Sequence, residues 1–305
     1  MGWIVGAATV PLAATPALAA QDATPAAGSS VASVVGWALL LAAPLVLAWL
    51  WKRDAIRPGS FARAGVRDPG PLPWWFWLVA AVCVFLTAGM AMAVTLVALT
   101  GGAGLHPADQ GAPIDRAWSA VGGFGAAAVL GALLAARAHR IAPLAGLRIT
   151  GRGMLIGAGA LVVAAPVVYA AGRLSVWAYR ALTQVEPERL AHDTLKEIVE
   201  RPGEPAAWLL IAAVVVLAPI AEEIAFRGFL QTSILRLTRR PWVAIAGASA
   251  VFTLVHGLEP YAMATVFALS LCLGVAFERR KNLGVPIAMH AIFNAANVWL
   301  AIPGG

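Results

Sequence analysis

Eight apolar runs dominate the chain, at 34–51, 74–99, 117–136, 154–172, 207–226, 242–258, 261–277 and 284–301, with short polar stretches between them. Each is as long, or nearly as long, as the about 20 residues a helix needs to cross a bilayer. The pattern predicts an all-α fold, a polytopic transmembrane helix bundle of about eight spans. The fifth run is expected to stay helical past residue 226, because only Gly228 interrupts it before Pro241.

The ends and the longest connection read differently. Residues 1–30 hold an apolar middle and an A-x-A end at Ala17-Leu18-Ala19, but no positive n-region, and Pro11 and Pro16 argue against a spanning helix. They are read as a signal-like or disordered leader. Between 173 and 205, "EPERLAHDTLKEIVERPGEP" predicts a short amphipathic helix closed by Pro202-Gly203, with His192 and Asp193 on a solvated face. No internal repeat is visible. The expected organisation is a leader at 1–30, structural transmembrane helices at 31–200 and a catalytic helix core at 201–305.

Composition strengthens the membrane reading. The chain is 60% hydrophobic and 12% charged, against about 25% charged for a soluble domain. Mean hydropathy is +0.79 and the isoelectric point is near 10.2. The basic excess sits in short loops, as the positive-inside rule requires, so the expected partner is a lipid bilayer and not a nucleic acid. With the N-terminus outside, the inner loops hold 15 Lys and Arg and the outer loops six. That asymmetry predicts a multi-pass cell-membrane protein with both termini outside the cytoplasm. Tryptophans 49, 51, 74, 75, 208, 242 and 299 stand near run ends, where interfacial anchors belong. Cys83 and Cys272 both lie in apolar runs, giving no disulfide framework and no zinc-type spacing.

A few polar residues break the apolar pattern. The fifth run carries Glu222, Glu223 and Arg227, the sixth His256, and the eighth His290 and Asn294. A charge at a helix centre costs roughly 2.5–3.5 kcal/mol on insertion scales, and such residues mark function or a buried pair. At about 1.5 Å per residue, Glu222 lies about 21 Å from Arg236, and His256 about 21 Å from Trp242. His290 and Asn294 lie about 15 and 21 Å from Arg280. Four residues on three helices therefore share one layer, as a common buried site requires.

Spacing divides the work among them. Glu223 and Arg227 are four apart with the acid first, the favourable order for a helical ion pair. Glu222 points about 100° away and is the freer carboxylate. His290, Asn294 and Asn297 line one face, and Phe252 shares a face with His256. Pro219 frees the carbonyl of Val215 and can open the helix toward a cavity.

Several chemistries fit this set. Glu and His can activate a water for attack on a carbonyl, and His with Asn can donate to the resulting oxyanion. Glu222, His256 and His290 could instead hold zinc with an open fourth position, although the H-E-x-x-H signature is absent. A proton-coupled transporter could use the same residue types as a relay. Simpler roles compete as well. Glu223–Arg227 can be a structural pair, and Asn294 and especially Asn297 can be interhelical glue. His106 and His139 are assigned nothing, and Glu259 and Glu278, at span ends, are expected to be solvated.

Three motifs, E-E-x-x-x-R at 222–227, F-x-x-x-H at 252–256 and H-x-x-x-N at 290–294, resemble those of the CPBP family in order and spacing. That family comprises type II CAAX prenyl endopeptidases and bacteriocin-processing (Abi) proteins. The resemblance covers roughly 205–302 and implies an intramembrane endopeptidase acting on a membrane-associated protein or peptide. It assigns water activation to Glu222 and His256, oxyanion binding to His290 and Asn294, and ordering of the site to Glu223 and Arg227. The family is often labelled metalloprotease, and a metal-free glutamate mechanism is also proposed for it; no cofactor is therefore required, with zinc the alternative. The rival functions are a membrane transporter or proton-relay protein, and a catalytically inactive scaffold or immunity protein.

Overall fold

The structure is a computed structural model that describes residues 29–102, 111–188, 193–257 and 259–302. The leader read at 1–30 lies almost wholly outside the described residues, as do His106 and His192. The described chain is all helical. Its helices are α1 (Ser29–Lys52), the short α2 (Ser60–Ala64), α3 (Trp74–Thr100), α4 (Pro113–Ile141), α5 (Gly151–Thr183) and α6 (Asp193–Glu200). There follow α7 (Pro205–Thr238), α8 (Pro241–Val255), α9 (Pro260–Arg280) and α10 (Gly284–Ala301).

Proline sets many of the starts. It stands in the first turn of α4, α7, α8 and α9, where its missing N–H forfeits no bond and its fixed φ suits the helix. At the other ends Arg239 and Lys281 follow α7 and α9 with φ of 58° and 52°. They close each helix in the left-handed region while placing a cation at the negative end of the dipole.

Seven helices are long and apolar enough to cross a membrane, the pattern of a multi-pass membrane protein. The sixth run, 242–258, is the one that falls short. Helix α8 is 15 residues, about 22 Å, and so stops short of the roughly 30 Å hydrocarbon layer. Helix α5 runs 11 residues past the apolar run that predicted it, to Thr183. The predicted amphipathic segment forms α6, which buries Leu195 and Ile198 against α7 and α10.

Burial separates centre from rim. Within their most apolar windows α1 and α3 are 11% buried, whereas α7 is 56% and α10 67% buried. Helix α7 is thus the core of the bundle, held between α3, α4, α8 and α10. Close approach of α3 and α4 depends on Gly123, where a Cβ would stand 2.7 Å from the carbonyl oxygen of Ala88. Small residues at helix contacts serve this purpose in membranes, where packing replaces the hydrophobic drive.

The four basic loops expected on one side do lie at one end of the bundle, joined by hydrogen bonds. Arg67 is fully buried and pairs with Glu278 at 2.7 Å. It also donates to the Ala145 carbonyl at 2.8 Å and to Thr232 Oγ1 at 2.9 Å. Gln231 Nε2 reaches the same carboxylate at 3.0 Å. Arg279 donates to Ser60 Oγ at 2.7 Å, and Leu283 N–H to the Arg148 carbonyl at 2.9 Å. The expectation that Glu278 is solvated is therefore wrong, because a partner 211 residues away in the chain covers it. Glu259 is exposed as expected. On the surface near Arg67, the Arg63 guanidinium hydrogen-bonds Asp54 and holds its carboxyl below the usual range.

Candidate functional site

Helix α7 builds the site by departing twice from α geometry. Residues Ala213–Leu217 and Ile224–Leu230 are π-helical, flanking an α-helical Ala218–Glu223. The first wide turn absorbs Pro219. The Ala218 N–H bonds the Ala213 carbonyl five residues back, and the proline ring is spared the carbonyl clash a regular turn would impose. The turn also presents the Val214 carbonyl to a neighbour, and Asn294 Nδ2 donates to it at 3.0 Å. The opening anticipated beside Pro219 thus takes the form of a π turn. Only the short segment between the two π turns carries Glu222 and Glu223.

The two acids face different partners. Glu223 is fully buried and bonds Arg227 Nη1 at 2.8 Å through Oε1. Arg227, itself buried, donates through Nη2 to Ser270 Oγ on α9 at 2.8 Å. Its guanidinium carbon lies 4.5 Å from the centre of the Phe252 ring, a cation–π arrangement. Glu223 Oε1 also meets His290 Nδ1 at 2.8 Å. A carboxylate can only accept there, so Nδ1 carries the hydrogen and the ring presents Nε2 elsewhere.

That other direction is Glu222. His290 Nε2 stands 3.8 Å and His256 Nε2 3.9 Å from the same atom, Glu222 Oε2. His256 is oriented by an independent device. Helix α8 ends at Val255 with His256 as its C-cap, so the last carbonyls lack helical donors. The ring turns back and its Nδ1 bonds the Phe252 carbonyl. Both histidines therefore have Nδ1 fixed by an acceptor and Nε2 aimed at one carboxylate oxygen, which itself makes no hydrogen bond. His256 and His290 are 3% and 1% exposed, and Asn294 is wholly buried. His256, although it caps the end of α8, is thus buried within the bundle.

Five of the six sequence-predicted site residues, Glu222, Glu223, Arg227, His256 and His290, meet in this cluster; Asn294, one turn beyond His290 on α10, contacts the Val214 carbonyl instead. Three details escaped the sequence. Phe252 is the common floor, with ring centres 4.9 Å from Phe226, 4.2 Å from His256 and 5.9 Å from His290. Ser270 completes the Arg227 pair; a lone serine in an oily run was its only signal. His290 bridges the two acids rather than standing with Asn294 alone. Asn297 donates to the Phe293 carbonyl of its own helix at 2.8 Å, so it is not the interhelical tie expected of it. Asn294 is such a tie.

The set is a few tenths of an ångström wider than a tetrahedral zinc site. Ligands about 2.1 Å from a tetrahedral zinc stand about 3.4 Å apart, and Glu222 lies 3.8 and 3.9 Å from the two histidines. No group of three or more His, Cys, Asp or Glu among the described residues is arranged to hold a metal ion.

An open pocket leads to this cluster, with Glu222 and His256 in its lining. The rest of the lining is apolar and comes in part from Val84, Gly89 and Met92 of α3 and Phe124 of α4. The first half of the chain, expected to be structural, thus supplies a wall beside the polar cluster.

A buried helix bundle holding adjacent acids opposite two anchored histidines defines a membrane-embedded polar site. Residues 204–296 match the family model described as type II CAAX prenyl endopeptidase Rce1-like. The chain is also similar to the UPF0177 protein YbdJ of Lactococcus lactis subsp. lactis (strain IL1403). The two are 30% identical over 93 residues, which are 30% of this chain and 39% of that relative, so well under half of the relative's length is matched. No solved structure matches.

Proposed function

We propose that the chain is an intramembrane endopeptidase that hydrolyses a peptide bond of a membrane-associated protein or peptide, with Glu222 as general base. The observation that carries this reading is the pair of histidine Nε2 atoms trained on Glu222 Oε2. At 3.8–3.9 Å they are too far for direct hydrogen bonds. A water about 2.8 Å from both the carboxylate and a histidine nitrogen subtends roughly 90°, a comfortable angle for a shared oxygen.

The reaction balances within the chain's own residues. Water oxygen adds to the scissile carbonyl carbon while its proton passes to Glu222. The tetrahedral intermediate collapses, the C–N bond breaks, and the proton held on Glu222 goes to the leaving amine. His256, whose Nδ1 hydrogen is committed to the Phe252 carbonyl, presents Nε2 to orient the water. Asn294 spends one amide hydrogen on Val214 and has a second for the oxyanion. His290 can donate to that oxyanion only as an imidazolium, held in place by Glu223 through Nδ1. Glu223 and Arg227 hold His290 and the π turn in place. This mechanism needs no metal.

The test uses the full chain reconstituted in vesicles with a library of single-span reporter peptides carrying a fluorophore and quencher. Cleavage by the native chain and its loss in a folded Glu222→Gln variant is the expected result. Cleavage that survives Glu222→Gln overturns the assignment of the base. No cleavage of any reporter, with proton or solute flux that depends on Glu222, favours the transporter; neither activity favours the scaffold.

A further inference from the structure

We infer that Arg67, in the chain between α2 and α3, is a positioning residue for the acid pair: with Glu278 it grips Gln231 and Thr232, the two residues at which α7 leaves its second π segment, and so sets where Glu222 and Glu223 sit. The inference rests on the peptidase reading and adds to that site a residue acting from the basic end of the bundle.

The change of helical step needs support. Gln231 N–H reaches back five residues to the Phe226 carbonyl, and from Gln231 onward α7 is α-helical. Passing from five-residue to four-residue steps skips one carbonyl, that of Arg227, and a buried carbonyl without a donor is costly. Thr232 supplies the cover. Its Oγ1 donates to the Gly228 carbonyl at 2.6 Å and stands 3.4 Å from the Arg227 carbonyl. Other threonines, Thr253 among them, make the same bond four residues back. What sets Thr232 apart is the guanidinium on its oxygen: Arg67 Nη1 donates to Oγ1 at 2.9 Å. That bond uses the oxygen as an acceptor and leaves the hydroxyl hydrogen for the carbonyls.

The same arginine reaches Gln231 by a second route. Arg67 Nη2 pairs with Glu278 Oε1 at 2.7 Å, and Gln231 Nε2 donates to that oxygen at 3.0 Å. Gln231 makes the last wide bond and Thr232 follows it, so one ion pair holds both residues of the switch. All four side chains are buried. Gln231 lies one turn from Arg227, whose guanidinium bonds Glu223. Were the wide turn to close to regular α pitch with no residue removed, the helix before it would swing by about 100°. Glu222 would then lose its place opposite His256 and His290. A shift of only about 1 Å in a catalytic group can cost about a hundredfold in rate.

The experiment separates positioning from simple stability. Combining Arg67→Met with Glu278→Leu removes the grip without stranding a charge, and Thr232→Val removes the hydroxyl while keeping its shape. In the full chain in vesicles, each should lower kcat for the reporter by about 10- to 100-fold with KM nearly unchanged. Thr232→Ser, which restores the hydroxyl, should keep native turnover. Adding Thr232→Val to the Arg67→Met/Glu278→Leu chain should cost little more, because residues acting through one contact do not add. Amide hydrogen exchange of the same proteins reads the turn directly: protection over 224–232 should fall about tenfold or more in Thr232→Val and in the double variant, with α3 and α4 unchanged. Native kcat in both, losses that multiply when combined, or a Thr232→Ser chain as slow as Thr232→Val overturns the inference. A native chain that cleaves no reporter, with exchange over 224–232 raised as expected in the variants, sinks the peptidase reading and leaves the hold of Arg67 on the turn standing; cleavage that needs Glu222 but is indifferent to Thr232 and Arg67 does the reverse.

Discussion

Exchanging Glu222 and Glu223 for glutamine, one at a time, makes the same chemical change at adjacent positions and should give opposite results. Glu223 is fully buried, with Arg227 and His290 both 2.8 Å from one oxygen. Removing its charge leaves the Arg227 guanidinium buried with only Ser270 to receive it. Breaking a buried ion pair costs about 3–5 kcal/mol. The amide oxygen still accepts one bond, so Glu223→Gln belongs at the low end, about 3 kcal/mol, or about a hundredfold in the folded-to-unfolded ratio. Glu222 Oε2 has no hydrogen bond to lose, and its nearest partners are 3.8 and 3.9 Å away. A neutral amide costs less to bury than a carboxylate, so Glu222→Gln should change stability by less than about 1 kcal/mol and abolish cleavage. The assay is reversible unfolding of the detergent-solubilised protein by sodium dodecyl sulfate, followed by circular dichroism, beside turnover of the vesicle reporter. Equal destabilisation by the two variants refutes the division of labour. A Glu223→Gln protein as stable as the native chain refutes the buried network.

Other expectations follow from the same geometry. Arg67→Met should cost about 3–5 kcal/mol by stranding Glu278, and adding Glu278→Leu should restore most of it; unfolding curves that show no recovery in the double variant would count against a pair whose worth is mutual. His290→Ala and Asn294→Ala should each slow turnover by about 10²- to 10³-fold, the usual loss for one oxyanion donor, and a smaller loss in Asn294→Ala would restrict it to tying down the π turn. Reporter cleavage should survive prolonged chelation in a preparation shown metal-free by mass spectrometry, whereas inactivation reversed by added zinc would defeat the metal-free route. In a chain whose two cysteines are replaced, an impermeant thiol reagent applied to intact cells should label Ala181→Cys and not Ala64→Cys; both native residues are exposed, and the reverse pattern would invert the expected topology.

The membrane fold was legible because spanning helices satisfy their backbone internally and must be apolar, so composition alone marks them. The site was legible for a related reason. Glu222, His256, His290 and Asn294 are costly in lipid, and their depth can be counted along a rigid helix from each charged end. What depth cannot give is direction across the bundle. It placed His290 in the right layer but could not say that the ring bridges both acids. The Arg67–Glu278 pair was hidden because each residue, taken singly, looks like an ordinary loop arginine or span-end acid. Only tertiary packing over 211 residues buries them. The π turns left a partial trace in Pro219, which marked the first of them, whereas the second, around Gly228, had no local signature beyond a glycine.

The two π turns also make the acid pair a matter of phase. An α-helix advances about 100° per residue, so each π turn, with its one extra residue, resets the rotation of everything beyond it. Ala218–Glu223 lies between two such resets, and its orientation is therefore independent of the helix on either side. A single-residue deletion within 213–217 would restore regular pitch there and leave both flanks facing as before, with the acids on target. The same deletion between Ala218 and Ile220 would instead carry Glu223 toward the place of Glu222, exchanging a structural charge for a reactive one. Tolerance to length change should thus alternate along α7, permissive inside the wide turns and strict between them.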